Sequence, residues 1–164
     1  MFERYSELAR QAVFFALMEA QDMGTTAIDT DQLLIGILTA HPELPNEVAL
    51  HVAPESMRSL REQPRPFSAS SPKRADLPIT PDLRQVMSRA VSIADLHHCQ
   101  EIRTEHLFAS LLEGGGKAAK LLAAFQIETQ TLSEAISRVD CSKPQKATED
   151  SKREMSSIMA KKFS

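Results

Sequence analysis

The sequence predicts an all-α fold made of two tandem copies of one helical unit, on three observations. Apolar residues recur at three- and four-residue spacing through most of the chain, the period of an amphipathic helix. Residues 9–38 return as residues 83–112 at an offset of 74. A stretch rich in proline and serine separates the two copies, as a linker would. Composition agrees: with five glycines and one tyrosine among 164 residues, the balance favours helix over sheet.

Residues 5–23, YSELARQAVFFALMEAQDM, place Leu8, Ala12, Phe15 and Ala16 on one face, and Gly24 is a natural C-terminal stop. A second helix starts at DTDQLLIGIL, with Thr30 read as its N-cap and Asp31 in the first turn, where a carboxylate suits the helix dipole. It should end near His41-Pro42. Two short helices are expected in PNEVALHV and PESMRSLRE. The linker spans residues 63–79. After it, Thr80 caps a helix that has Pro81 at its first position. RTEHLFASLLE, KAAKLLAAF and TQTLSEAISRV supply the remaining helices. The reading divides the chain into a first repeat (1–62), the linker, a second repeat (80–140) and a basic, flexible tail (141–164). SKREMSSIMAKKF within that tail could form a frayed helix.

The repeat is the strongest signal. Arg10/Arg84, Gln11/Gln85, Ala16/Ala90, Ala20/Ala94, Ile28/Ile102, Thr30/Thr104, Leu33/Leu107 and Leu38/Leu112 are identical pairs. Eight identities in thirty ungapped positions exceed the roughly two expected by chance. Asp31 and Glu105 are conservative counterparts, each following the repeated threonine. His106 has no like counterpart, since Gln32 stands there, which weakens any chemistry built on histidines in both halves.

Charge narrows the functional classes. The net charge is −3, with the last 23 residues near +3 and the body near −6. An acidic body is unsuited to nucleic acid, whose phosphates need a basic face. No segment is long and apolar enough to span a bilayer, and the start MFERYSELAR lacks the apolar core of a secretion signal. Cys99 and Cys141 are too few for a disulfide framework, so the cytoplasm is the expected compartment.

Sharper chemical readings fail on spacing. EGGGKAA departs from a P-loop, because Leu111 stands where the first glycine belongs and Ala118 where Ser or Thr belongs. Its glycines suit a turn between helices, and Gly115, Gly116 and Lys117 could at most hold an anion. His97, His98, Cys99 and His106 have metal-ligand chemistry, yet neighbouring residues on a helix diverge by about 100° and no second cluster completes the set. A metal-binding sensor on that cluster is the enzyme-class alternative. Otherwise no catalytic constellation, metal site or cofactor motif is expected.

The pattern of a helix, then G-x-x-x-I-x-T-D/E-x-L-L, a proline-bearing linker and the same again resembles the double Clp N-terminal motif. That module is the N-terminal domain of the ClpC/ClpA-type Hsp100 AAA+ unfoldases. MFERYSELARQAV, RTEHLFASLL and EGGGKAAKLLAAF are similar to its opening, its second-repeat helix start and its glycine loop, and the resemblance covers residues 1–140. It implies an eight-helix pseudo-twofold domain that binds adaptors and substrates of a Clp unfoldase, without catalysis or cofactor. In the ClpC branch, it further implies that the acid after each repeated threonine receives the guanidinium of phosphoarginine. The residues concerned are Asp31 with Thr30, and Glu105 with Thr104. The first copy departs from the pattern, with Asp for Glu, Gln32 for His and HPELPN for the glycine loop. Glu105 is therefore expected to be the better site, as an exposed first-turn carboxylate. No ATPase motif follows, so the chain is read as a free-standing Clp-N protein or part of an unfoldase. A free-standing one could act as a decoy that sequesters adaptors or substrates.

Overall fold

The computed structural model describes residues 3–44, 77–114, 116–118 and 134–163. Five helices are bounded within them, α1 (Glu7–Met23), α2 (Thr30–Ala40), α3 (Pro81–Leu96), α4 (Thr104–Gly114) and α5 (Glu149–Phe163), and residues 116–118 and 134–137 are helical too. The short helices expected in 45–62, most of KAAKLLAAF and most of the linker fall outside the described residues, and so therefore does the count of eight. No strand is present among the described residues.

The two repeats are interlocked. α1 packs on α2 and α3 on α4, with α2 and α4 in contact at the centre. Tyr5 pairs in parallel with Ile102, and Ile28 with Ile79. These are the same contact seen twice, because 5 and 79, like 28 and 102, are 74 residues apart. The hydrogen bonds repeat with it: Ser6 N–H to Ile102 O (3.0 Å) and Ile102 N–H to Arg4 O (2.8 Å) in one, Thr80 N–H to Ile28 O (3.0 Å) and Ile28 N–H to Pro78 O (2.8 Å) in the other. Each repeat thus lends its lead-in segment to the other. Residues 77–79, expected to close the linker, belong to this pairing instead.

Helix ends repeat too. Ser6 Oγ accepts from Ala9 N–H at the start of α1, and Thr80 Oγ1 from Leu83 N–H at the start of α3. Both helices finish in a left-handed residue, Gly24 (φ 69°) and His98 (φ 58°). The next amide reaches back five residues, Thr25 N–H to Ala20 O and Cys99 N–H to Ala94 O. His98 therefore makes a turn that its glycine counterpart makes without steric cost.

The core is one cluster drawn from both copies, with Phe15, Leu33, Leu34, Phe108, Leu107 and Leu111 among its fully buried side chains. One position shows how closely α1 and α2 approach. A Cβ on Gly36 would lie 2.2 Å from Ala12 O. Its counterpart Ser110 sits in a looser crossing and donates its hydroxyl to Val86 O at 2.5 Å.

The segment after Asp140 departs from the flexible tail expected of it. Gln145, Ala147 and Ser151 are buried, Ser151 Oγ bonds Gln11 Oε1 of α1, and Met155 and Ile158 of α5 pack against the core. The basic residues had masked this docking, because Lys146 and Lys152 are exposed while Gln145, Ala147 and Ser151 beside them are buried. The two cysteines correct a second expectation: Cys99 and Cys141 form a disulfide, with Cα atoms 5.3 Å apart.

Candidate binding site at the two helix starts

Both predicted site carboxylates sit in the first turn of a central helix, α2 or α4. The threonine before each is not the cap. Asp29 is the N-cap of α2, with extended backbone (φ −115°, ψ 178°), and Thr30 is the first helical residue. Thr104 holds the same place in α4, after Arg103. The caps reveal a job for the residue after each acid. Gln32 Oε1 accepts the Asp29 N–H at 2.6 Å, and His106 Nδ1 accepts the Arg103 N–H at 2.9 Å. Gln32 and His106 are thus equivalent after all, each closing the outer half of a capping box.

The threonine hydroxyls face the opposite repeat. Thr30 Oγ1 accepts the Ala118 N–H (3.2 Å), and Thr104 Oγ1 contacts His41 Nδ1 (2.9 Å). Of the expected anion loop, Gly116 has φ 79° and lies beside Thr30, while Gly115 is outside the described residues. Lys117 is directed at Asp29, with Nζ 3.6 Å from Oδ2. Its charge is thereby engaged with an acid.

The acids differ sharply. Glu105 is only 4% exposed, which overturns its expected exposure. Arg103 Nε donates to Glu105 Oε2 at 3.1 Å. Gln145 Nε2 donates to Glu105 Oε1 and Oε2 at 3.1 and 3.3 Å, and to Thr104 Oγ1 at 2.9 Å. Gln145 Oε1 accepts the Thr104 N–H at 3.1 Å and the Ser6 hydroxyl at 2.7 Å. The strap carrying Gln145 is held further by Arg103 Nη1, which donates to Lys143 O (3.1 Å), and by Glu101 Oε2, which accepts the Gln145 N–H (3.0 Å). Asp31, by contrast, is half-buried, and its Oδ1 is buried with no hydrogen-bond partner among the described residues. An unpaired buried carboxylate oxygen is costly, so this position has an unmet demand for a donor.

Of the metal-type cluster, Cys99 and His106 come together and His97 and His98 do not join them. Cys141, not considered in that cluster, does: a nitrogen of His106 and the two sulfurs lie within 4.8 Å of one another. A disulfide offers no thiolate to a metal. The ring is also turned the wrong way, since Nδ1 accepts a backbone N–H and the proton sits on Nε2, whereas a metal-bound ring donates through its other nitrogen. Burial is the main cause that pulls the His106 pKa down to about 4, against a smaller upward pull from Glu105, so the ring is neutral near pH 7. An open groove on α3, lined by Arg84, Gln85, Ser88 and Arg89, gathers none of the predicted site residues.

Comparison with known proteins agrees with this architecture. The family model for the Clp repeat (R) N-terminal domain matches residues 78–161, just over half the chain. The chloroplastic chaperone protein ClpD of Arabidopsis thaliana is 27% identical over 134 residues, covering 74% of this chain and 14% of that protein. The ClpA homolog of Cyanidium caldarium, an ATP-dependent Clp protease ATP-binding subunit, is 28% identical over 142 residues, covering 85% and 16%. The chain therefore spans only about a seventh of the length of such relatives. Among solved structures, the N-terminal domain of Arabidopsis ClpD matches with a TM-score of 0.58 and 24% identity, over 82% of this chain and 93% of that one. The Hsp104 N-terminal domain from Candida albicans matches at 0.66 and 14%, over 91% and 99%. No helix among the described residues is long and apolar enough to cross a membrane. An all-α chain with duplicated, interlocked helix pairs and a matching family model belongs to the Clp N-terminal domain family.

Proposed function

We propose that the chain is a non-catalytic recognition module of a Clp-type chaperone-protease system, binding protein substrates or adaptors through its two helix starts. The observation that carries this reading is the repeated first-turn acid, Asp31 and Glu105, in a chain of this family. The chemistry sought is a guanidinium with an attached anion, as in phosphoarginine. A carboxylate accepts guanidinium N–H groups, and the adjacent helix start can take the phosphate. Asp31 is the receptor ready for it, because its Oδ1 has no donor among the described residues. Glu105 is filled from within the chain. As a separate polypeptide, the module would compete with an unfoldase's own N-terminal domain for the same partners in the cytoplasm.

Calorimetry with free phosphoarginine tests the reading. The full chain should bind one equivalent, and Asp31→Asn should abolish it while leaving the melting temperature nearly unchanged. Absence of binding at millimolar ligand would sink the phosphoarginine assignment. Competition for a substrate of the intact unfoldase tests the recognition role separately.

A further inference from the structure

Gln145 does more than fill space at the α4 start. Its amide nitrogen donates to both oxygens of Glu105, as a guanidinium would, and its amide oxygen takes the Thr104 N–H, as a bound anion would. One side chain thus supplies both halves of the ligand chemistry assigned above. Four residues earlier in the same strap stands Cys141, bonded to Cys99 at the end of α3. The covalent link and the occupying side chain therefore belong to one short segment, residues 140–147.

We propose that Cys99–Cys141 is a thiol–disulfide exchange site which latches this strap over the α4 start, so that a dithiol reductant opens Glu105 to ligand. The assignment of the ligand rests on the proposed function, whereas the latch does not.

The sulfurs differ in access: Cys99 is buried and Cys141 half-buried. The reductant's thiolate attacks Cys141 Sγ, the S–S bond breaks, and Cys99 leaves as thiolate. The reductant's second thiol then displaces Cys141 from the mixed disulfide. Two electrons pass to the protein, the two dithiol protons end on Cys99 and Cys141, and the reductant departs as its own disulfide. His106 suits the leaving group. With Nδ1 occupied by Arg103 N–H, its proton lies on Nε2, which has no acceptor among the described residues. A nitrogen of this neutral ring lies within 4.8 Å of both sulfurs, so the imidazole is a polar neighbour for the departing thiolate.

The test uses the full chain, first oxidised with oxidised glutathione and then treated with dithiothreitol. Intact-mass alkylation should count no free thiol before and two after, with the fold retained by circular dichroism. Hydrogen exchange should then accelerate at residues 101–106 and 141–147 and stay unchanged in α1 and α2. Cys141→Ser should behave as the reduced form without reductant. Failure to form the 99–141 bond, or reduction without faster exchange in those segments, would overturn the latch. So would stoichiometric zinc in the reduced protein with exchange still slow, because a metal would then hold the strap. Phosphoarginine titration is read separately. A second equivalent should bind after reduction, at least about tenfold tighter at this site than before. Faster exchange with no such binding would support the latch and count only against the ligand.

Discussion

The starts of α2 and α4 descend from one duplicated phrase, yet one holds a buried carboxylate oxygen with no partner among the described residues and the other a carboxylate wrapped by the chain's own strap. The local framework is the same in both: a threonine at the first helical position, an acid next, and a side chain that returns to the cap amide. What differs is what reaches the acid: residues 140–147 bring Gln145 onto Glu105. Duplication preserved the scaffold, and a piece of chain beyond the second copy occupies the start of α4. A contrast of this kind also separates Gly36 from Ser110, Gln32 from His106 and Gly24 from His98, and it can be pressed experimentally.

The largest effect should come at the helix crossing. Gly36→Ser places a Cβ against Ala12 O and should cost about 3 kcal/mol or more in chemical denaturation. The reciprocal Ser110→Gly should lose only about 1–2 kcal/mol, since it removes one hydrogen bond and adds helix entropy. Equal costs would mean that the two crossings are equally tight.

Acid should discriminate the capping residues next. The unfolded chain protonates His106 near pH 6.5, whereas the folded chain resists until about 4. The unfolded state therefore binds more protons in that window, and stability should fall as pH drops from about 6.5 to about 4. The loss is about 3 kcal/mol, from 1.36 kcal/mol per unit. His106→Gln copies the first repeat, keeps the bond to Arg103 N–H, and should flatten this part of the pH profile. A profile unchanged by that variant would remove His106 as its source.

Gln145→Ala should destabilise the chain by about 2 kcal/mol by stranding Thr104 N–H and part of Glu105. The same change at an ordinary tail residue such as Lys146 should do nothing measurable. His98→Gly, which copies Gly24, should stabilise by about 1 kcal/mol through relief of a left-handed non-glycine. Thermal unfolding is sufficient to read both.

Helix class, the end of α1 at Gly24, and the start of α3 with Thr80 as cap and Pro81 at its first position were legible because they depend on neighbours in sequence. The cap of α2 was misplaced by one residue: Asp29 and Thr30 are both good caps by type, and only backbone angles separate them. The equivalence of Gln32 and His106 was hidden because the shared property is a hydrogen-bond acceptor at one point in space, not a residue type. The pair of first-turn acids was legible in the sequence, but the burial of Glu105 was not, because Gln145, which covers it, stands 40 residues away.

By itself, then, the sequence determined the helices, the duplication and the family's first-turn acids, all carried by spacings of a few residues or by one constant offset. The tertiary structure alone decided that each repeat lends its lead-in segment to the other, that Cys141 meets Cys99 from 42 residues away, and that Gln145 closes over Glu105. Those contacts join segments whose separation leaves no periodic trace. Their energy comes from burying and satisfying particular polar groups, which composition does not encode.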